Sequence, residues 1–169
     1  RQVRGGTAAT FVVNAASDES DSNLGDGVCG SANGQCTLRA ALEESNVRAG
    51  RETVTFDIRN SDGSCPDLVT IEPSRTLVID DVHFEGITLD GYTQCGASPN
   101  TQDALGNAQI KIEIKGSGTS NVHGLDVKSP GNIIRGLAIY HFAPQMHLSS
   151  AASHNRIEGN FLGTNADNT

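Results

Sequence analysis

The feature that most restricts the fold of this chain is a short pattern that occurs three times. An apolar residue, a charged residue and a glycine precede a short, mostly apolar run at residues 84–89, 134–139 and 157–162. The second and third copies start 23 residues apart, and the first starts 50 residues before the second. Asn132 and Asn155 keep the same offset ahead of their copies. A repeat of this length is too short for a globular unit and suits one coil of a solenoid, in which equivalent residues stack.

Short β-prone runs, several of which alternate apolar and polar residues, predict strands elsewhere in the chain. They occupy residues 10–14, 53–58, 69–71, 77–79, 110–114, 125–127 and 146–148. The 19 glycines and the low aromatic content of 4% favour short strands joined by tight turns, because glycine accepts the backbone angles that such turns need. The sequence therefore predicts an all-β solenoid in one structural domain, with its coils over residues 51–169.

Residues 37–50 carry a helical pattern, and we expect them to cap the solenoid. Thr37 can serve as the N-cap, and Gly50 stands where a left-handed C-cap belongs. The apolar face that we expect to cover the first coil comprises Leu38, Ala41 and Leu42. The polar side chains that we expect to lie mostly away from it are Arg39, Glu43, Glu44 and Arg48. Residues 1–50 are thus predicted to hold a lead-in, an acidic loop and a capping α-helix.

The segment that leads into this helix resembles a known N-terminal region. Residues 25–46, with two cysteines and a Cys-Thr-Leu-Arg-Ala-Ala run at 36–41, are similar to the CSLREA-type region of large secreted bacterial and archaeal repeat proteins. Thr37 replaces the serine and Ala40 the glutamate of that motif, and the similarity spans residues 11–50. The resemblance implies a right-handed parallel β-helix of the pectin-lyase-like type after the cap, and an extracellular or cell-surface protein, bacterial in the simplest interpretation. It implies no particular activity.

The four cysteines allow three pairings. We prefer Cys29 with Cys36 and Cys65 with Cys95, because each bridge closes a segment rich in glycine, asparagine and aspartate. In the chain-entropy treatment these bridges contribute roughly 2.5 and roughly 3.7 kcal/mol, for closed loops of 8 and 31 residues. The alternative is a CxxC metal site, and the sequence contains no CxxC. Disulfides indicate an oxidising compartment.

Residues 18–27 form an acidic loop that is a candidate calcium site. Half of its ten residues are Asp, Glu or Asn, and two are glycine. Calcium takes six to eight oxygen ligands from a loop that can wrap around it. The candidate ligands are Asp18, Asp21, Asn23 and Asp26. The spacing differs from that of an EF-hand, and the alternative is a solvated acidic loop.

Charge and hydropathy exclude two classes of partner. The chain has 12 basic and 20 acidic residues, a formal net charge of −8 and no basic cluster, which argues against a nucleic-acid partner. No apolar run approaches the roughly 20 residues of a membrane span.

Charged residues of the repeat predict a structural ladder. Glu85, Arg135 and Glu158 hold the same place in their copies, so we expect opposite charges to stack on one face. Each such pair is worth a few tenths of a kcal/mol and helps to fix the register. The five histidines show no zinc-binding spacing, and we expect them in turns or at the surface.

Enzymatic chemistry has little support in the sequence. Polysaccharide hydrolases and lyases share the pectin-lyase-like architecture, and hydrolysis needs grouped carboxylates. Asp80 and Asp81 are adjacent but lack the companion motifs of polygalacturonases, and two aspartates at the end of a strand explain them. We predict a non-catalytic surface protein with a structural or adhesive role. The alternative is a carbohydrate-active enzyme or a carbohydrate-binding surface that recognises cell-surface polysaccharide.

The last predicted coil lacks a cap. Residues 164–169 follow directly on the third repeat copy and show no helical pattern. A bare last coil would leave unpaired backbone groups and an open core. We therefore expect the solenoid to continue in a longer protein at this end, or a second copy to associate there.

Overall fold

The fold consists mainly of short parallel strands. A computed structural model describes residues 6–103, 106–118 and 122–167, and within these ranges the chain forms one α-helix, α1 (Leu38–Val47), and twelve strands. The strands are β1 (Thr10–Val13), β2 (Thr53–Phe56), β3 (Val69–Ile71), β4 (Leu77–Ile79), β5 (Thr88–Asp90), β6 (Ile112–Lys115), β7 (Leu125–Val127), β8 (Ile133–Arg135), β9 (Leu137–Tyr140), β10 (Met146–Leu148), β11 (Arg156–Glu158) and β12 (Phe161–Leu162). A 3-10 turn, Gly91–Thr93, follows β5.

The described strands form three parallel sheets with one regular pairing rule. Sheet A has the order β1-β2-β5-β8-β11, sheet B the order β3-β6-β9-β12 and sheet C the order β4-β7-β10. Every strand from β2 to β9 pairs with the strand three places later in the chain. The chain therefore visits sheets A, B and C in turn, and each visit adds one strand to the same side of each sheet.

Stacked apolar side chains fill the space between the sheets. In sheet C, Leu77 and Ile79 are buried on either side of the half-buried Val78, and their partners one strand later are the buried Leu125 and Val127. In sheet A, Ile134 lies between Leu89 and Ile157 in the same way. Full burial of such a side chain stabilises the fold by about 1.5–3 kcal/mol, so these columns hold neighbouring strands together.

The structure confirms the stacking of the last two repeat copies and corrects the alignment of the first. Gly136 and Gly159 are adjacent, with the Gly136 amide donating to the Gly159 carbonyl over 3.3 Å. Leu89, and not Phe84, lies opposite Ile134, so the first copy is displaced by five residues. A glycine follows an acidic residue both at 85–86 and at 90–91, so the local pattern alone does not show which pair is aligned with Arg135 and Gly136.

Helix α1 covers one end of the sheets and packs on β1, β2 and β4. Its face of Leu38, Ala41 and Leu42 is fully buried, and the Thr37 hydroxyl accepts the Ala40 amide at 3.0 Å as an N-cap. The predicted C-cap is wrong: the helix ends at Val47, and the following residue is extended. The helix is therefore three residues shorter than its sequence pattern.

Two charged residues of α1 are buried, contrary to expectation. Arg39 is only 4% exposed; its guanidinium pairs with Asp18 at 2.8 Å and donates to the Arg75 carbonyl at 2.8 Å. Glu44 is fully buried and accepts the amides of Gly25 and Gly27 at 2.5 and 2.6 Å. Both side chains fasten the acidic loop or β4 to the cap, so they serve the fold.

All four cysteines lie in the described residues and are paired. Cys29 joins Cys36, and Cys65 joins Cys95, which are the pairings preferred from the sequence. Within the described residues, no helix has the length and apolarity to cross a bilayer.

Candidate functional site

A row of charged side chains crosses the outer face of sheet A. Asp90, Arg135 and Glu158 lie opposite one another on β5, β8 and β11. Arg135 Nη2 donates to Asp90 Oδ2 at 2.6 Å, and this bond raises the pKa of Arg135 above its ordinary value. The Arg135 Nε atom is buried and has no hydrogen-bond partner among the described residues. One donor of the guanidinium therefore lacks a partner in the described part of the chain.

The predicted ladder is wrong in one member. Glu85 does not lie opposite Arg135, because the first repeat copy is displaced and Asp90 takes that place. The Glu85 carboxylate instead accepts the backbone amide of Gly50, and its carbonyl accepts from Arg51 at 3.2 Å. Glu85 thus joins the segment after α1 to the turn before β5.

Tyr92 forms the floor of two adjoining clefts beside this row. One cleft, of about 320 Å³, is lined by Tyr92, Pro99, Asn100, Arg135, Glu158 and Gly159. The other, of about 450 Å³, also contains Tyr92 and extends to Phe161 and Ala166. Tyr92 donates its hydroxyl to the Gly159 carbonyl at 2.7 Å, and burial raises its pKa. An aromatic ring, a cation and a carboxylate thus face one groove.

Glu113 is a second polar centre, on sheet B, and it is saturated by internal contacts. Its carboxylate accepts the Tyr140 hydroxyl at 2.9 Å, the Thr70 hydroxyl at 3.2 Å and the Ala166 amide at 2.8 Å. Burial and the bond to Glu113 raise the pKa of Tyr140 to about 12. Because these bonds join β3, β6, β9 and the segment after β12, the cluster has a structural use.

A buried and a half-buried asparagine connect successive strands of sheet A. The amide nitrogen of Asn132 and its backbone N–H both donate to Asn155 Oδ1, at 2.9 and 2.7 Å. Asn132 Oδ1 accepts the Ile87 amide at 2.7 Å. The two asparagines that keep the same offset in the repeat therefore form a hydrogen-bonded ladder between neighbouring strands.

Asp81 holds a turn. It is fully buried, and its carboxylate accepts the amides of His83, Glu85 and Gly86 at 2.7–2.9 Å. Asp80 is exposed, and its amide donates to Asn46 on α1. The adjacent acidic pair thus ends a strand, as its position suggests.

Glu52 is a buried carboxylate with few polar contacts to stabilise its charge. Neither of its carboxylate oxygens has a hydrogen-bond partner in the described residues, and Arg48 Nε lies 3.7 Å away. Burial raises its pKa to about 6. It is positioned by β2, next to the capping helix.

The candidate calcium residues bind mainly to the protein itself. Asp18 is paired with Arg39 and also accepts from Ser74. Asp21 accepts the amides of Asn23 and Gly30 at 2.8 and 3.0 Å. The Asp26 carboxylate accepts from the Asn23 side chain and from the Val28 amide at 3.0 and 2.8 Å. These bonds shape the loop around its own amides, and calcium binding there stays a prediction.

The sequence pattern missed one convergence of possible ligands. Two histidines, His123 and His147, meet Asp126 on the outer face of sheet C. His147 lies opposite Asp126 on the paired strand β10, and no fixed metal-binding spacing would reveal its separation of 24 residues from His123. Comparisons with known proteins find no matching family model, no similar curated protein and no similar solved structure.

Proposed function

We propose that this chain is a non-catalytic structural segment of an extracellular surface protein. In this proposal the sheets wind as a right-handed parallel β-helix, α1 closes one end, and the other end accepts a further coil. The pairing of each strand with the third following strand supports the winding. The two disulfides and the similarity of residues 25–46 to CSLREA-type regions support the extracellular location.

The observation that carries the proposal is the exposure of core-facing side chains on the last coil, which comprises β10, β11 and β12. Leu148 is 44% exposed and Leu162 is 49% exposed, whereas their partners one coil earlier, Val127 and Ile139, are fully buried. Ile157 is half-buried, and its partner Ile134 is fully buried. The positions point the same way in both coils, so only the absence of a covering layer in the described residues explains the difference.

The backbone of the edge strands also favours a further coil at this end. Strands β10, β11 and β12 each stand at the edge of a sheet in the described part of the chain. Edge strands with apolar side chains pair readily with another strand. A further coil, from a longer chain or from a second copy, would satisfy the backbone and bury Leu148 and Leu162.

Sedimentation of the purified chain tests association at this end. We expect concentration-dependent self-association that Leu148→Asp and Leu162→Asp each weaken, because a charge opposes burial of the core face. Val12→Asp is the matched control, since Val12 is 45% exposed on β1 and away from the last coil. A chain that stays monomeric contradicts association between copies. In that case a further coil of a longer chain is the layer that we expect to cover the last coil.

Binding of an acidic carbohydrate in the clefts at Tyr92 is the second candidate function. The combination of a guanidinium and an aromatic ring favours it, because the Arg135 side chain is 42% exposed and lines the same cleft as Tyr92. Titration with acidic oligosaccharides tests it: Tyr92→Ala should abolish binding, and Tyr92→Phe, which removes only the bond to Gly159, should retain most of it. Release of oligosaccharides from an acidic polysaccharide by the pure chain would contradict the non-catalytic proposal.

A further inference from the structure

Three possible metal ligands converge on the outer face of sheet C. His123, Asp126 and His147 each offer one ligand atom, and these atoms all lie within 4.8 Å of one another. His147 Nδ1 is 2.8 Å from Asp126 Oδ1. The two imidazole rings are 5.2 Å apart between centroids and inclined at 45°. Among the described residues, this is the one such group of three or more His, Cys, Asp or Glu side chains.

The fold itself produces this convergence. Asp126 points outward because its neighbours on β7, Leu125 and Val127, point into the core. His147 lies directly opposite Asp126 on β10, one coil later. His123 stands just before β7, where its amide donates to the Thr76 hydroxyl at 3.1 Å. Two paired strands thus position Asp126 and His147, and the turn before β7 positions His123.

We propose that His123, Asp126 and His147 form a Zn²⁺ site that joins the last two coils. Imidazole with one carboxylate is a ligand set that suits Zn²⁺ better than calcium or magnesium. Three protein ligands leave a fourth position for water or an external ligand.

The distances require only small side-chain movements. Ligands at about 2.0–2.1 Å from a tetrahedral zinc ion lie about 3.3 Å from one another. The His147–Asp126 pair, now at 2.8 Å, must open by about 0.5 Å, and the other separations, all within 4.8 Å, must close by at most about 1.5 Å. Rotations about the two side-chain torsions of histidine and aspartate cover such shifts.

Lys128 is the charged group that competes with a cation here. Its Nζ lies 3.5 Å from Asp126 Oδ2, on the side of the carboxylate away from His147. The lysine side chain is 44% exposed and flexible, so it can withdraw into solvent when an ion binds. The zinc ion then replaces the hydrogen bond between His147 and Asp126 with two stronger bonds.

A site in this position would act as a clamp. Asp126 belongs to β7, where the adjacent Leu125 and Val127 are fully buried. His147 belongs to β10, where the core-facing Leu148 is exposed. Zinc would therefore attach the least covered coil to a well-packed one.

Calorimetric titration of the untagged chain with Zn²⁺ tests the site. We expect one ion per chain, and at least a tenfold loss of affinity in each of His123→Asn, His147→Asn and Asp126→Asn. His154→Asn is the matched control: His154 is exposed and has a φ of 57°, which asparagine tolerates, so its affinity should equal that of the wild type. Melting of each variant without metal confirms that it remains folded.

Co²⁺ provides an independent readout, since its visible spectrum reports coordination by protein ligands. We expect a spectrum typical of four ligands in the wild type and in His154→Asn, and its loss in His147→Asn. Zinc affinity that none of the three substitutions changes would indicate an adventitious ion only and would overturn the proposal. A failure to bind Zn²⁺ at all would overturn it as well, without affecting the proposed structural role of the last coil.

Discussion

Replacing Asn132 with alanine tests whether the asparagine ladder holds neighbouring coils together. Asn132 is fully buried directly before β8. Its Oδ1 atom accepts the Ile87 amide at 2.7 Å, and its Nδ2 donates to the Ser129 carbonyl at 2.8 Å and to Asn155 Oδ1 at 2.9 Å. Alanine removes all of these bonds without altering the apolar columns on either side.

The expected loss of stability follows from the groups that remain unpaired. Ile87 is fully buried, so its amide loses its hydrogen-bond acceptor in a place that water does not reach. An unsatisfied buried donor costs about 1–3 kcal/mol, and each lost hydrogen bond costs about 1 kcal/mol. The Ser129 carbonyl keeps a bond from Asn155 at 3.3 Å and adds little. We therefore expect Asn132→Ala to lower the free energy of unfolding by about 2–4 kcal/mol.

Urea unfolding measures this loss, and a second variant separates hydrogen bonding from volume. Asn132→Asp keeps the shape and the acceptor for Ile87, but it turns a carboxylate oxygen towards the Ser129 carbonyl and Asn155 Oδ1. It should therefore destabilise at neutral pH at least as much as alanine does. Asn60→Ala, which removes a single exposed bond to Ser64, should cost less than about 1 kcal/mol. A harmless Asn132→Asp would refute the reasoning.

Three further predictions concern the cap, a buried acid and the acidic loop. Arg39→Ala should lower the free energy of unfolding by about 3–5 kcal/mol in urea, because it leaves the Asp18 carboxylate without its buried partner; a loss below about 1 kcal/mol would contradict this. Glu52 has its pKa raised from 4.5 to about 6 in the folded state, so its stabilising contribution is present below pH 4.5 and is lost as the pH rises through 6. Glu52→Gln should accordingly match the wild type near pH 4 and exceed its stability above pH 6, and an equal difference at both pH values would disprove the assignment. Calcium at residues 18–27 should raise the melting temperature in a way that a chelator reverses and that Asp21→Asn reduces, whereas identical melting with and without chelator would exclude it.

Several strands were predictable from the sequence because their signal is local. The strands at 69–71, 77–79, 125–127 and 146–148 have the predicted bounds. In three of them a polar residue stands between two apolar residues, and residues 77–79 are all apolar. Neither pattern needs knowledge of distant partners. The N-cap at Thr37 and the Cys29–Cys36 pair were accessible for the same reason. The Cys65–Cys95 pair spans 30 residues and followed from the small number of possible pairings.

The register of the first coil was not predictable because two similar local patterns compete. Gly86 and Gly91 each follow an acidic residue, five positions apart. Gly86, with a φ of 85°, belongs to the turn that Asp81 holds. Gly91 is the true counterpart of Gly136, and a side chain there would meet the Gly136 carbonyl oxygen at 2.1 Å. Only the packing of the neighbouring coil distinguishes the two glycines.

The polar residues of the cap and the candidate metal site depend on distant partners. Arg39 finds Asp18 across 21 residues, and Glu44 finds the amides of Gly25 and Gly27, so helical periodicity alone places both side chains wrongly. His147 reaches Asp126 because β10 pairs with β7 in that register, and the sequence alone does not show which strands pair. Sequence patterns therefore predict which residues form strands, and the stacking of coils decides which side chains meet.

The central claim is that β5, β8 and β11 stack as parallel neighbours in the observed register. Methyl NOE spectroscopy on isoleucine- and leucine-labelled protein tests it directly, since parallel neighbouring strands lie about 4.8 Å apart. We predict contacts of the Ile134 methyl groups with those of Leu89 on one side and Ile157 on the other. Contacts of Ile134 with the ring of Phe84 instead, or no contact with Ile157, would contradict the account.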